Sequence, residues 1–381
     1  MHEGTILTRR AWLAIGGLVL STACGPKKGT GYPGYALIAT SGDDSVAVVD
    51  LTAFRLLRPI LLGAPPVAVV PGGPAGRSYV LTPSTGSVHI IASDLKRTAT
   101  RRLADRVSGI RVTPDGKRIL VIAAETRQLI AVDAVSLDII KRHKLEAEPV
   151  DLDISSNSYA AISTGDHGTV ELFQYETGQR WRTQLQGKIG TVRFRGDGQA
   201  LLVANLQDRS LTALSVPALE VIADLPLAMQ PQNLCFNSDQ GQLFVSGEGM
   251  DGVAIVFPYD ILEVEQTVLA GRDPGVMACS AAPAFLFVGS NSGSDVCILS
   301  VATRKMIGIV DAGQQPTYIT TTPDSQYALV LDESAGAMAV IHVPMIRLDF
   351  KSVSSKSGAS LFAMLSVGNK PVHAAVVPRQ A

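Results

Sequence analysis

The sequence predicts an all-β protein, a β-propeller of eight four-stranded blades. Three observations predict it. A short alternating apolar run recurs eight times at a near-constant step. Each copy contains four such runs, separated by turn residues. The final run of the chain supplies the strand that the first copy lacks.

The recurrence is clearest in the third run of each copy. "SVAVVD" ends at Asp50, "SVHIIA" at Ala92, "QLIAVD" at Asp133 and "TVELFQ" at Gln174. "SLTALS" ends at Ser215, "GVAIVF" at Phe257, "DVCILS" at Ser300 and "AMAVIH" at His342. The step is 41 to 43 residues throughout. An apolar run precedes each ("RILVIA", "ALLVAN", "YALVLD"), and a more polar run follows ("QRWRTQLQG"). A fourth run, often opened by Pro, begins the next copy ("PVDLDISS", "PQNLCFNS", "PTYITTTPDS"). Each set makes a small antiparallel sheet that is apolar on both faces. Such a sheet is buried only when it stacks on its neighbours around an axis.

"TPDG", residues 113–116, joins the first two strands of its copy. Pro114 presets φ, and Gly116 accepts the positive φ that closes the turn. "RGDG" at 195–198, "NSDQ" at 237–240 and "TPDS" at 322–325 hold the same place and are read as turns, not as catalytic motifs.

The first copy begins at Tyr35 with its second strand, so its innermost strand is missing. "KPVHAAVVP", residues 370–378, reads as an innermost strand with nothing after it. Pairing the two closes the ring and leaves no open ends. Seven blades is the alternative, if the weakly patterned stretch 78–102 forms no full blade.

Composition bounds the rest. The chain has 381 residues, 46% hydrophobic and 18% charged, enough for one large domain or two ordinary ones. A formal net charge of −1 supplies no basic surplus for nucleic acid. The 35 Gly and 21 Pro, without a collagen period, fit a turn-rich fold.

The first residues read as an address. Arg9 and Arg10 precede an uncharged run from Ala11 to Leu20, followed by small residues up to Cys24. The run is shorter than the roughly 20 residues a spanning helix needs. "LSTAC" resembles a bacterial lipobox, and "TRRAWL" resembles a twin-arginine export motif. The expected organisation is a signal peptide over 1–23, a tether over 24–34 lipidated at Cys24, and the propeller over 35–381. Membrane contact is then through the lipid anchor only, in the periplasm or at the cell surface.

Turn, strand and hairpin together, as in "TPDGKRILVIAAETRQLIAVD" and "GDGQALLVANLQDRSLTALS", resemble the bacterial YVTN-type propeller repeat. The resemblance spans nearly all of 35–378, and Asp50 and Asp133 match its "VxVxD" end. It implies an exported or surface-associated protein. Some related propellers are lactonases, and a related eight-bladed fold holds a haem. Fold alone does not choose among these.

Propeller ligands sit where innermost strands begin. The residues just before those strands are Pro65, Arg106, Glu148, Lys188, Gln230, Asp273, Gln315 and Lys370, a polar ring of mixed charge. Arg106, Glu148, Lys188 and Asp273 are the predicted ligand-binding residues, as alternating charges able to orient a polar ligand. No catalytic residue and no metal ligand is predicted. CxxCH and HExxH are absent, and "GSNSG" at 289–293 centres on Asn291, so no cofactor is indicated by motif. His89, His342 and His373 fall on strands and read as structural.

Cys279 and Cys297 fall on the first and third strands of one blade, about 10 Å apart. That exceeds the roughly 7 Å Cα limit for a disulfide. Cys235 lies in another blade, one position out of phase with Cys279, and no disulfide is expected. The link after His342 carries an insertion, "RLDFKSVSSKSGAS", on the face opposite the channel mouth; it reads as a contact loop or as tolerated divergence.

These readings converge on an exported, lipid-anchored propeller that binds an envelope protein or a small polar ligand. The alternative is a channel-sited enzyme, such as a lactonase-like hydrolase, or a cofactor-binding propeller.

Overall fold

The computed structural model describes residues 31–346 and 361–380. Eight antiparallel sheets form a ring. Taken from blade 1 to blade 8, their inner strands are Pro371–Pro378, Ala68–Pro71, Gly109–Val112, Asp151–Ile154, Ile189–Phe194, Gln230–Phe236, Pro274–Cys279 and Pro316–Thr321. Each inner strand touches the next around the axis. The remaining strands follow outward in chain order. In blade 1 the fourth position is held by two short strands, Arg55–Leu56 and Ile60–Leu61.

The doubly apolar middle runs have a direct physical cause. In blade 3, Arg118–Ala123 and Gln128–Asp133 are buried on both faces. Their side chains enter the seams on either side: Ile119 and Ile130 meet Leu81 and Ile90 of blade 2, whereas Leu120 and Leu129 meet Ile162 and Phe173 of blade 4. Eight apolar clusters result, one at each seam between neighbouring blades. Burial at about 25 cal/mol per Å² of apolar surface makes these seams the main source of stability.

The seven-blade alternative fails. Ser78–Thr82, Ser87–Ile91 and Arg97–Arg102 form a complete blade with Ala68–Pro71. Its pattern looks weak because the outer strand, "RTATRR", is solvent-facing and has no apolar duty.

The tail closes the ring as predicted. Pro371–Pro378 pairs antiparallel with Gly34–Thr40, placing Tyr35 opposite Val377 and Ile38 opposite Ala374. The seam between blades 8 and 1 packs Leu329 and Val340 with Ile38 and Val49. Phe54 adds ring contacts there, at 4.9 Å to both Tyr327 and Phe362.

The inner turns also match their reading. Thr113 Oγ1 donates to Asp115 Oδ1 at 2.6 Å, which in turn accepts the Lys117 N–H at 3.0 Å. Gly116 has φ of 68°, and the equivalent Gln240 and Ser325 adopt 61° and 57°. The turn geometry is thus retained where glycine is not. The lipidation residue Cys24 and the 347–360 insertion lie outside the described residues.

Candidate functional site

The links that start the inner strands share a face with the tips between second and third strands. Two ion pairs cross between these loops: Arg106 to Glu125 at 3.7 Å, and Lys188 to Asp166 at 3.1 Å. Glu148 stands exposed between them in sequence, before blade 4. Asp273, before blade 7, is half-buried with φ of 48°, and its N–H donates to Asp251 Oδ1 at 2.8 Å. All four predicted residues therefore lie at one mouth, two of them paired with tip carboxylates.

Polar residues at the ends of the second strands hold the mouth loops in place. Asn205 Nδ2 donates to the Gln186 carbonyl at 3.0 Å, and Ser290 Oγ to the Arg272 carbonyl at 2.7 Å. Asp332 Oδ2 accepts the N–H groups of Gln314 and Gln315. Burial raises the pKa of this carboxylate, but the backbone donors outweigh it and hold it below the ordinary range.

Below the mouth lies a charged wall that the sequence reading did not find. The inner strand is the open edge of each blade, so its N–H groups need partners from the neighbour. Asp151 Oδ2 accepts the Val192 N–H at 3.1 Å, and Asp153 Oδ2 accepts the Phe194 N–H at 2.8 Å. Thr191 Oγ1 reaches the Gln232 carbonyl at 2.8 Å, and Thr321 Oγ1 the Cys279 carbonyl at 3.0 Å. Arg193 bonds Asp151 at 2.6 Å, and Arg111 stands 3.9 Å from the other oxygen of the same carboxylate. Burial pushes the Asp153 carboxyl above its usual range against the pull of Arg193. Burial likewise opposes the Arg193 charge, which Asp151 and Asp153 sustain.

Across the wall, His373 and Tyr318 stack with ring centroids 4.3 Å apart. Burial, aided by Arg111, lowers the His373 pKa to about 4, so the imidazole is neutral at pH 7. Burial raises Tyr318 to about 12. The Val69 N–H approaches His373 Nδ1 at 3.5 Å, the same edge-facing role that Asp151 performs. The charged and hydrogen-bonding groups of this wall are thus engaged with one another and with the edges of neighbouring strands.

The thiols depart from expectation in one respect. Cys235, Cys279 and Cys297 are free, but Cys235 and Cys279 lie with sulfurs 4.0 Å apart. The one-position phase difference, read as a separation, is what brings them together. Side chains alternate along a strand, so one step turns Cys235 to the opposite face of its blade, towards Cys279.

A cleft of about 650 Å³ opens elsewhere, on the outer wall between blades 3 and 4. Its buried carboxylate, Glu171, is fully engaged by Arg180 at 2.8 Å and the Glu146 N–H at 2.7 Å. Arg180 also donates to the Lys144 carbonyl of blade 3. Arg142 and Arg97 make the equivalent reach to Leu103 and Leu62 at the two preceding seams. The cleft is therefore a seam fastened by arginine.

No family model and no curated protein matches the sequence. Solved structures share the fold. The dihydro-heme d1 dehydrogenase NirN in complex with DHE superposes with a TM-score of 0.75 at 15% identity, over 90% of this chain and 75% of that one. Kuenenia stuttgartiensis hydrazine synthase gives 0.57 at 17% identity, over 73% and 95%. A functionally unknown protein from Desulfotomaculum acetoxidans gives 0.60 at 16%, over 74% and 96%.

Proposed function

We propose that this chain is an exported, lipid-anchored propeller of the YVTN repeat type. It serves the cell envelope as a binding module whose ligand enters the channel mouth. The observation that carries the reading is the arrangement of charge. Glu148 and the Arg106–Glu125 and Lys188–Asp166 pairs are exposed on the mouth loops, with Asp273 beside them, whereas the Arg193–Asp151 pair of the wall below is largely buried. The mouth is thus where charge is available to a polar ligand or protein. Export and anchoring are supported by the order of Arg9, Arg10, the apolar run and Cys24.

The likeness to NirN raises a tetrapyrrole as an alternative cargo. The channel histidine does not fit that group. His373 is held between Tyr318 of blade 8, on which it stacks, and the Val69 N–H of blade 2, which approaches Nδ1. Binding of a polar ligand or protein remains the better reading, with no step assigned to catalysis.

Replacing Arg106, Glu148, Lys188 and Asp273 together with Ala tests the site. The exposed pairs of Arg106 and Lys188 contribute about 0–1 kcal/mol each, and Ala at the left-handed position of Asp273 adds a modest backbone cost, so the melting temperature is expected to fall by only a few degrees. Binding to a partner isolated from envelope extract is expected to weaken at least about tenfold, or 1.4 kcal/mol. Binding at parental affinity would remove the mouth from consideration.

Cys24→Ser tests the anchor separately. The variant is expected to incorporate no labelled palmitate and to remain an uncleaved precursor. Palmitate incorporation equal to the parent's would rule out lipidation at this cysteine.

A further inference from the structure

We propose that Cys235 and Cys279 form a covalent-modification site, a redox-active dithiol that closes into a disulfide between blades 6 and 7. The placement of the two thiols follows from strand register. Phe236 pairs with Leu243, and Cys279 pairs with Leu286, and these two partners face equivalent third-strand residues, Val256 and Leu299. Cys279 is therefore level with Phe236, and Cys235 is one residue earlier. Phe236 accordingly packs into the seam with blade 5, whereas Cys235 joins Cys279 in the seam with blade 7. The sulfurs meet at 4.0 Å, about twice a disulfide bond of roughly 2.05 Å, so rotation of side chains has about 2 Å to close.

Accessibility and electrostatics distinguish this pair from the third thiol. Cys235 and Cys279 are half-buried on inner strands, whereas Cys297 is buried in the seam. The Cys279 thiol and the Arg193 guanidinium hold Cys235 below the usual thiol range, despite burial. Cys279 is pushed up by Cys235 and by burial. Burial raises Cys297 to about 11. The Arg193 guanidinium acts on Cys235 and not on Cys279, which makes Cys235 the attacking thiolate and Cys279 the resolving thiol.

The oxidant is a small-molecule disulfide such as oxidised glutathione. Cys235 thiolate attacks one of its sulfurs, forming a mixed disulfide and releasing the first thiolate. Cys279 then loses its proton to solvent and attacks Cys235 Sγ, releasing the second thiolate. Two protein thiols are oxidised, and one external disulfide is reduced to two thiols. The proposal needs neither the ligand at the mouth nor the lipid anchor.

The test uses the full wild-type chain, reduced and then equilibrated with graded mixtures of reduced and oxidised glutathione. After acid quenching, free thiols are alkylated and the digest is analysed by mass spectrometry. The expected product is one peptide pair joined through Cys235 and Cys279, lighter by two hydrogens than the dithiol, with Cys297 alkylated throughout. Cys279→Ser is expected to trap one glutathione on Cys235, and Cys235→Ser to leave Cys279 alkylatable. The proposal is overturned if the folded wild-type chain keeps both thiols free, or carries glutathione separately on each, in mixtures where the urea-unfolded chain forms disulfides.

Discussion

Deleting residues 370–381 is expected to unfold the whole propeller, not merely fray its end. The deletion removes Pro371–Pro378 and with it the hydrogen-bonding partner of Gly34–Thr40. The same strand feeds two seams. Ala374 packs into the cluster between blades 8 and 1, and Ala375 and Val377 into that between blades 1 and 2. Truncation thus opens the ring at two faces at once. The loss is expected to reach several kcal/mol, comparable with the roughly 5–15 kcal/mol that holds a domain folded. Thermal and urea melts of the truncated chain provide the measurement. A permutant carrying the same residues ahead of residue 31 through a flexible linker is expected to recover the parental transition. A truncated chain that melts like the parent would mean that the tail strand contributes nothing to closure.

That dependence on the tail was readable in the amino acids, because closure rests on a strand count. Burial of both blade faces writes an apolar alternation into every copy, and the 41 to 43 residue step records the blade. The mouth was readable for the same reason, since topology alone places Arg106, Glu148, Lys188 and Asp273 on one face. The channel wall was not. Asp151 and Asp153 look like polar interruptions in "DLDI", and their roles become visible only against Val192, Arg193 and Phe194, one blade further on. Charges within an inner strand, instead of at its ends, were the available signal. The thiol pair was hidden by parity. A sequence offset of one residue suggests poor alignment, but on a pleated strand it exchanges one face for the other. Blade 2 looked doubtful because apolar periodicity marks only buried strands, and Arg97–Arg102 is an exposed edge.

Arg193→Met is expected to lower stability by about 3 kcal/mol at pH 7, within the range seen when one member of a buried pair is removed. The substitution preserves much of the side-chain length and removes only the guanidinium. Asp151 then retains the Val192 N–H and a distant Arg111, and Asp153 retains the Phe194 N–H and the weaker pull of Arg111. The pH dependence separates this cause from lost packing. Burial already raises the Asp153 pKa, and Arg193 opposes the rise. Without Arg193 the folded-state pKa climbs further above the unfolded value of about 3.9. An acid with a raised folded pKa takes up its proton more readily in the folded state, so stability increases as pH falls through that window. The deficit of Arg193→Met is accordingly expected to shrink between pH 7 and pH 5. Asp153→Asn in the same background is expected to recover much of the loss at pH 7, because the uncharged amide no longer carries an uncompensated charge into the wall. Urea unfolding of the three proteins at both pH values measures this. A deficit equal at pH 7 and pH 5, and untouched by Asp153→Asn, would assign the effect to packing and remove charge compensation as the reason for Arg193.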